Sequence, residues 1–157
     1  MEERVYPTEM ALYFEDVTVG NRYETSQYTI TKEEIITFAE QFDPQPFHTD
    51  EKAAKESMFG GLVASGLHTL CLSARLFITE YVNPEDGLKY MGGIGMDDLQ
   101  WHEPVRPGDT LHVEMEVVDK TASETRDDRG YVEFKRSAYT DEEVMSIRSH
   151  HIIERRQ

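Results

Sequence analysis

Two residues whose side chains can transfer protons, Asp43 and His48, lie five positions apart in a segment that also contains Pro44 and Pro46. Side chains at this spacing do not share one face of a helix, but a loop can bring them together. Because proline lacks an N–H donor and restricts φ, we expect this segment to be non-helical. A carboxylate and an imidazole that meet in this way form a candidate acid–base pair.

Gly66 precedes the most hydrophobic helical pattern in the chain. A helix that begins there presents unpaired N–H groups and the positive end of its dipole. Such a donor can stabilise negative charge on a carbonyl oxygen, so the three residues together predict chemistry beside a carbonyl. Apolar residues cover nearly every face of the pattern, which predicts a helix that is buried almost all round; they are Leu67, Leu70, Cys71, Leu72, Ala74, Leu76, Phe77, Ile78 and Tyr81.

The elements before this helix must position the acid–base pair. Thr31 is predicted to cap a helix, with Glu34 in the capping-box position. Apolar residues at helical spacing predict one buried stripe; they are Ile35, Ile36, Phe38, Ala39 and Phe42. Because this helix must end before Pro44, Asp43 is expected to emerge from a fixed point. Asp50 is predicted to cap a second, short helix over residues 51–56.

The remainder of the chain predicts an antiparallel sheet around the hydrophobic helix, and therefore an α+β fold. Strand patterns follow Leu88, glycines at 92, 93 and 95 predict bulges, and residues 106–109 predict a turn. Residues 1–12 show no pattern and are expected to form a loose arm. A single sheet leaves its edges and one face uncovered, which predicts a homodimer or a higher assembly of dimers.

The segment around Asp43 resembles the MaoC-like family of (R)-specific enoyl-CoA hydratases, also called hydratase 2. The family signature contains an aromatic residue, an Asp, a Pro and a His, which match Phe38, Asp43, Pro46 and His48. Gly66 matches the glycine at the start of the family's central helix. This chain departs from the signature at four positions, with Phe42 for Gly, Gln45 for Asn, Phe47 for an aliphatic residue and Ser65 for the more usual His.

The resemblance implies one hot-dog domain over residues 1–157. It also implies hydration of trans-2-enoyl-CoA to (R)-3-hydroxyacyl-CoA, or the reverse dehydration, as in fatty acid metabolism. Asp43 and His48 would be the catalytic dyad and Gly66 the oxyanion donor. Coenzyme A would enter only as part of the substrate, with no other cofactor. Phe47 and Ser65 are candidate substrate contacts. Lys52 and Lys55 are candidate phosphate contacts, although each of these lysines could equally belong to a solvated helix face.

Two other functions remain open at this point. A hot-dog acyl-CoA thioesterase would share the fold, but such enzymes usually carry a carboxylate on the central helix, and here none occurs before Glu80. A non-catalytic acyl-CoA-binding subunit would retain the fold and the ligand without turnover. Trp101 is expected to pack in the core or at an interface rather than to bind a ligand.

Composition narrows the possible partners and location. A net charge of −15 argues against nucleic acid and anionic membranes as partners. It is compatible either with an ordinary acidic surface or with adaptation to high salt. No apolar run is long enough to span a bilayer and no secretory signal is visible, so a cytoplasmic location is expected. Cys71 is the only cysteine, which fits a reducing compartment, and it is expected to lie in the core.

A metal site is not predicted. The chain has six histidines. None is paired with cysteine or carboxylate at the spacing that metal ligands adopt. His68 is instead expected to be a hydrogen-bonded structural residue inside the hydrophobic helix.

Overall fold

The computed structural model describes residues 11–157. A short 3₁₀ turn (Phe14–Asp16) precedes the first strand, and a π-helical turn (Ile78–Val82) extends the longest helix. The helices are α1 (Lys32–Phe42), α2 (Pro46–Thr49), α3 (Glu51–Lys55) and α4 (Gly66–Phe77). The strands are β1 (Arg22–Glu24), β2 (Tyr28–Thr29), β3 (Tyr90–Trp101), β4 (Thr110–Ala122), β5 (Arg129–Tyr139) and β6 (Glu143–Glu154).

The strands form one antiparallel sheet in the order β1-β4-β5-β6-β3, with β2 paired to β4. One side of α4 packs against this sheet, where Phe77 of the helix meets Phe134 of β5 at a ring-centroid distance of 5.6 Å. Alternate residues of β4 point into the same core, as the period-two pattern predicts. The predicted α+β architecture is therefore confirmed.

Helix α1 has the predicted N-cap. The N–H of Glu34 donates to the hydroxyl of Thr31 at 3.2 Å. The reciprocal half of the capping box does not form, because the Glu34 carboxylate accepts a hydrogen bond from the hydroxyl of Tyr28 instead. The buried stripe is also narrower than predicted: Ile35 is fully buried, whereas Phe42 is 64% exposed at the end of the helix.

Helix α4 begins at Gly66 as predicted, but it is not buried all round. Leu67 is 42% exposed and Cys71 is also exposed, so the predictions of an all-round buried helix and of a core cysteine are wrong for a single chain. The sheet covers one side of the helix and Phe38 of α1 packs on another, which leaves a stripe through Leu67 and Cys71 exposed. His68 is buried and stacks on Phe38, but its Nδ1 has no hydrogen-bond partner in this part of the chain, contrary to the prediction.

The pairing of the edge strand β3 is irregular. The register of β3 against β6 shifts three times, and two of these shifts fall at the predicted glycine bulges, between Tyr90 and Gly92 and between Gly93 and Gly95.

The predicted loose arm, residues 1–12, lies almost wholly outside the described residues. Its last residue is anchored, because Leu12 is buried and forms a parallel bridge with Leu88.

Candidate active site

Asp43 and His48 are held by two consecutive helices, α1 and α2. Asp43 is the C-cap of α1, and its N–H donates to the carbonyl of Ala39 at 2.8 Å. His48 lies on α2, a single helical turn that has Pro46 at its first position. The prediction of a non-helical segment is therefore wrong around His48. Proline is tolerated at the first position of a helix because the N–H there has no intrahelical acceptor.

The two side chains approach each other in a largely buried position. The Oδ2 atom of Asp43 lies 3.4 Å from Nε2 of His48, and the His48 side chain is only 7% exposed. On the other side of the ring, Nδ1 lies 2.6 Å from the carbonyl oxygen of Val63. A carbonyl oxygen can only accept, so Nδ1 carries a hydrogen, and in the neutral ring Nε2 presents a lone pair toward Asp43.

Two side chains hold the Asp43 carboxylate. The hydroxyl of Ser65 donates to Oδ2 at 2.6 Å, and the side-chain amide of Gln45 donates to Oδ1 at 2.8 Å. The Ser65 hydrogen bond, more than that of Gln45 or the nearby His48, holds the pKa of the Asp43 carboxyl below its usual range. Asp43 is therefore ionised at neutral pH.

Ser65 lies between the start of α4 and the Asp43 carboxylate, and its contact with substrate stays a prediction. It is fully buried as the N-cap of α4, and its hydroxyl accepts the N–H of Leu67 at 3.2 Å while it donates to Asp43. A single hydroxyl thus joins the start of α4 to the carboxylate. The residue was identifiable from its position before Gly66, but its contact with Asp43 was not, because 22 positions separate the two residues.

A cavity of ≈ 520 Å³ opens beside the pair. Asp43 and His48 form part of its wall, and Phe47, Met58 and Phe59 give it an apolar side. The Phe47 ring packs edge-on against His48 and also contacts Phe59. The remaining two sequence candidates, Lys52 and Lys55, lie exposed on α3 and do not line the cavity.

Gly66 lines the same cavity and is covered by Trp101 from the end of β3. The indole N–H of Trp101 donates to the Gly66 carbonyl at 2.9 Å. A Cβ atom at Gly66 would lie 2.3 Å from the indole ring, so only glycine fits at this point. Trp101 is 49% exposed and lines the cavity, so it does not pack in the core of the single chain. The alternative, that it packs at an interface, stays a prediction. No sequence pattern links it to Gly66, because the contact joins a strand end to a helix start.

Replacement of Ser65 by Ala is expected to move the acidic limb of the pH profile of activity to higher pH. Activity that requires ionised Asp43 is lost as pH falls through the pKa of this carboxyl. Without the Ser65 hydroxyl that pKa rises toward the ordinary value of 3.8, so the loss begins at a higher pH. Loss of the N-cap should also lower the free energy of unfolding by about 1 kcal/mol. The measurements are kcat/KM against pH and denaturant unfolding.

Ser73→Ala is the matched control for this variant. Ser73 is equally buried in α4, and its hydroxyl donates to the carbonyl of Leu70 at 2.7 Å without contacting Asp43. This variant should leave the pH profile unchanged. An unshifted acidic limb in Ser65→Ala would contradict the role of the Ser65 hydroxyl.

Within residues 11–157 no three side chains of His, Cys, Asp or Glu lie close enough together to hold a metal ion. No helix in the same range is both long and apolar enough to cross a membrane.

Comparison with known proteins identifies relatives along most of the chain. The family model described as "MaoC like domain" matches residues 15–136. A MaoC-like dehydratase from Rhodospirillum rubrum is 39% identical, with a TM-score of 0.84 over 94% of this chain and 99% of that chain. The uncharacterized protein YdeM of Bacillus subtilis (strain 168) is 34% identical over 130 residues, which are 83% of this chain and 89% of YdeM.

A more distant structure shares the fold alone. The (R)-hydratase PhaJ1 from Pseudomonas aeruginosa is 24% identical, with a TM-score of 0.66 over 94% of this chain and 88% of that chain. Together with the sheet that packs against α4, these likenesses establish the hot-dog fold.

Proposed function

This chain belongs to the MaoC-like domain family, and from that premise we propose that it adds water to a trans-2-enoyl-CoA thioester or catalyses the reverse dehydration. The observation that carries the proposal is the convergence of Asp43 and His48, 3.4 Å apart, in the wall of a cavity that Gly66 also lines. The product in the hydration direction would be an (R)-3-hydroxyacyl-CoA.

The hydrogen-bonding states of the pair favour the binding of one water molecule. In the proposed reactant state the His48 ring carries its hydrogen on Nδ1 and presents the Nε2 lone pair, and the ionised Asp43 presents Oδ2. Both atoms accept hydrogen bonds, so a water molecule on the cavity side of the pair could donate one hydrogen to each. Its oxygen lone pairs would then face the cavity, where C3 of the enoyl group would lie.

In the proposed hydration, the water oxygen bonds to C3 while Nε2 of His48 takes one of its protons. The electron pair of the double bond moves onto the thioester oxygen as an enolate. The Nε2–H then protonates C2, which returns the ring to its neutral form and consumes one water in total. Ionised Asp43 orients the water and stabilises the transient imidazolium, so the two residues act as a coupled unit.

The start of α4 is suited to hold the enolate oxygen. The N–H of Gly66 is in the first turn, where it has no intrahelical acceptor, and it lies at the positive end of the helix dipole. One such donor contributes on the order of 3 kcal/mol to lowering the barrier. Water addition by these steps requires neither a metal nor a redox cofactor. Asp43 stabilises the positive charge on His48, and the N–H of Gly66 stabilises the negative charge on the enolate oxygen.

The exposed lysines of α3 are proposed to contact the phosphates of coenzyme A. Lys52 and Lys55 follow the segment that carries Phe47 and His48, so they lie on the same part of the chain as the cavity wall. A local positive charge is needed because the chain as a whole carries a net charge of −15. Binding through these two residues would weaken as salt screens their charge.

A homodimer is proposed to cover the free edge of the sheet. β3 is an edge strand of 12 residues. It exposes Met91, Ile94 and Met96, and the adjoining face of α4 exposes Leu67. A long apolar edge of this kind is normally paired. Light scattering of the purified protein should therefore give about twice the mass of one chain of 18.2 kDa, and a monomer at micromolar concentration would contradict the proposal.

A thioesterase is less well supported by the site. Helix α4 carries no Asp or Glu. The carboxylate that follows it, Glu80, accepts two hydrogen bonds from Ser26, at the other end of the helix from Asp43. The carboxylate bonded to the N-cap of α4 is that of Asp43, the C-cap of α1, and its position beside His48 suits water addition to a double bond.

The test is turnover of a short trans-2-enoyl-CoA by the purified chain. We expect loss of the absorbance of the conjugated enoyl thioester and formation of an (R)-3-hydroxyacyl product, resolved by chiral chromatography. Release of free thiol from a saturated acyl-CoA, without hydration, would instead indicate a thioesterase. Tight binding with no turnover across enoyl-CoA substrates of different chain length would indicate a binding subunit. Either of these results would overturn the proposal.

A further inference from the structure

The side chain of Thr69 lines the same cavity as Asp43, His48 and Gly66. Thr69 lies on α4, three positions after Gly66. Residues three positions apart are neighbours on one face of a helix, and helical side chains tilt toward the N-terminus. The Thr69 side chain therefore leans, on the cavity side of α4, toward the turn that carries the N–H of Gly66.

The hydroxyl group of Thr69 differs from those of the other serine and threonine side chains of α4 and the π-helical turn that extends it. Ser73 donates to the carbonyl of Leu70 at 2.7 Å, and Thr79 donates to the carbonyl of Arg75 at 2.8 Å. The Thr69 hydroxyl group makes no such hydrogen bond to the helix, nor to any other residue in the range 11–157. It is therefore free to donate to a ligand.

The Thr69 hydroxyl group is also open to the cavity. Within residues 11–157, the buried side-chain polar atoms that lack a hydrogen-bond partner belong to His68 and Arg136. The hydroxyl oxygen of Thr69 lacks a partner but is not one of these enclosed atoms, so it contacts the cavity although the residue is only 2% exposed. Because nearly all buried polar groups in proteins are hydrogen-bonded, this position indicates a partner that enters the cavity.

The thioester oxygen is a suitable partner. In the proposed hydration, negative charge develops on this oxygen and the N–H of Gly66 is one donor to it. An oxygen that carries this charge accepts more than one hydrogen bond. Of the two hydroxyl groups in the described wall of the cavity, that of Ser65 already donates to Asp43, which leaves that of Thr69 as the second donor.

On the premise of the proposed hydratase function, we propose that the Thr69 hydroxyl group donates a second hydrogen bond to the thioester oxygen. This hydrogen bond strengthens as negative charge develops on the oxygen, so it lowers the barrier more than it tightens the binding of substrate. Thr69 transfers no proton, because its hydrogen stays on the hydroxyl oxygen and His48 still carries the proton from water to C2. Thr69 is then a catalytic residue in direct contact with the substrate.

Steady-state kinetics with a trans-2-enoyl-CoA test the role of the hydroxyl group. Thr69→Val replaces it with a methyl group of similar size and should lower kcat about 10²-fold, the loss typical of one donor to an oxyanion. The KM should change little, because the contact matters chiefly in the transition state. Thr69→Ser keeps the hydroxyl group and should retain most of the wild-type kcat. Equal losses in the two variants would overturn the proposal, because the hydroxyl group would then not be the cause.

Thr79→Val is the matched control for this change. The Thr79 hydroxyl group donates to the carbonyl of Arg75 and does not line the cavity, so this variant should keep the wild-type kcat. Thr69→Ala also removes the hydroxyl group and gives the same test if thermal unfolding shows that Thr69→Val does not fold. Wild-type kcat in both Thr69→Val and Thr69→Ala would overturn the proposal.

The absorbance of sorbyl-CoA, a conjugated dienoyl thioester, tests the contact apart from turnover. The His48→Gln variant should bind this thioester and hydrate it slowly enough for a spectrum to be recorded. Hydrogen bonds to the carbonyl oxygen draw electron density toward it, which should shift the absorption maximum to longer wavelength. Addition of Thr69→Val should reduce the shift, and addition of Thr79→Val should not. A shift of the same size without the Thr69 hydroxyl group, or no shift at all, would overturn the proposal.

The two measurements separate the role of Thr69 from the hydratase function. A chain that binds sorbyl-CoA with a shift dependent on Thr69 but hydrates no enoyl-CoA would overturn the function and still support the contact. A chain that hydrates enoyl-CoA at the wild-type rate after Thr69→Val would support the function and overturn the contact. A wild-type chain that binds no acyl-CoA would overturn both.

Discussion

Replacement of His48 by Gln is expected to lower kcat for a trans-2-enoyl-CoA on the order of 10²- to 10⁴-fold, the range that a positioned acid–base group contributes. The glutamine amide can still donate to the carbonyl of Val63, which accepts Nδ1–H in the wild type. It cannot take a proton from water at neutral pH, because an amide is not a base. The KM should change little, since the thioester and the coenzyme A contacts are untouched. Saturation kinetics with the enoyl absorbance as readout measure both constants.

His102→Gln is the matched control for His48. His102 lines the same cavity, but its Nε2 lies 2.8 Å from the Ser146 hydroxyl and 3.0 Å from the Glu143 carboxylate rather than near Asp43. This variant should keep nearly wild-type kcat. Equal losses in the two variants, or full activity in His48→Gln, would contradict the assignment of His48 as the proton-transfer group. Thermal unfolding of both variants controls for loss of the fold.

Replacement of Asp43 by Asn is expected to cause a loss of kcat/KM of similar size, on the order of 10²- to 10⁴-fold. The amide is nearly the same shape, and Ser65 and Gln45 remain beside it. The change removes the negative charge that orients the water and stabilises the imidazolium of His48. In the wild type, protonation of Asp43 causes the loss of activity at low pH, and it occurs below the usual pKa of an aspartate. Asparagine does not titrate, so the pH profile of the residual activity should lack this acidic limb.

Glu103→Gln provides the corresponding control for charge. Glu103 is an exposed acidic residue that also lines the cavity. Its replacement changes the net charge of the chain by the same amount as Asp43→Asn and leaves the hydrogen bonds of Asp43 intact. If both variants lost activity equally, the loss would come from the reduced negative charge in the cavity rather than from a lost contact between Asp43 and the reacting water. If Asp43→Asn kept wild-type kcat/KM, the proposed dyad would be wrong.

Local signals in the sequence were sufficient for several elements. The cap at Thr31, the cap at Asp50 and the start of α4 at Gly66 were predicted to the residue, because capping depends on groups only two or three positions apart. The glycines of β3 correctly predicted irregular pairing. The spacing of Asp43 and His48 predicted that they meet, and they do, although the helical turn that carries His48 was not foreseen.

Errors arose where a local pattern was used to predict burial. Cys71 and Leu67 were expected in the core because apolar residues surround α4, yet both are exposed in the single chain. The pattern shows that a face is apolar but does not show which protein surface covers it. A covering surface from a second copy would reconcile the apolar face with its exposure, which is the reason for the proposed dimer.

The sequence by itself determined the α+β architecture, the limits of the main helices, the family resemblance and the residues of the candidate dyad. The architecture and the helix limits depend on periodicity, capping and proline geometry, which act over a few neighbouring positions, and the resemblance to the family signature implies the dyad. Only the tertiary structure decided that Ser65 donates to Asp43, that Trp101 covers Gly66, and that Arg136 is buried without a counterion. The first two contacts join residues 22 and 35 positions apart. They exist because the sheet and α4 pack together, and no local preference of the chain specifies them.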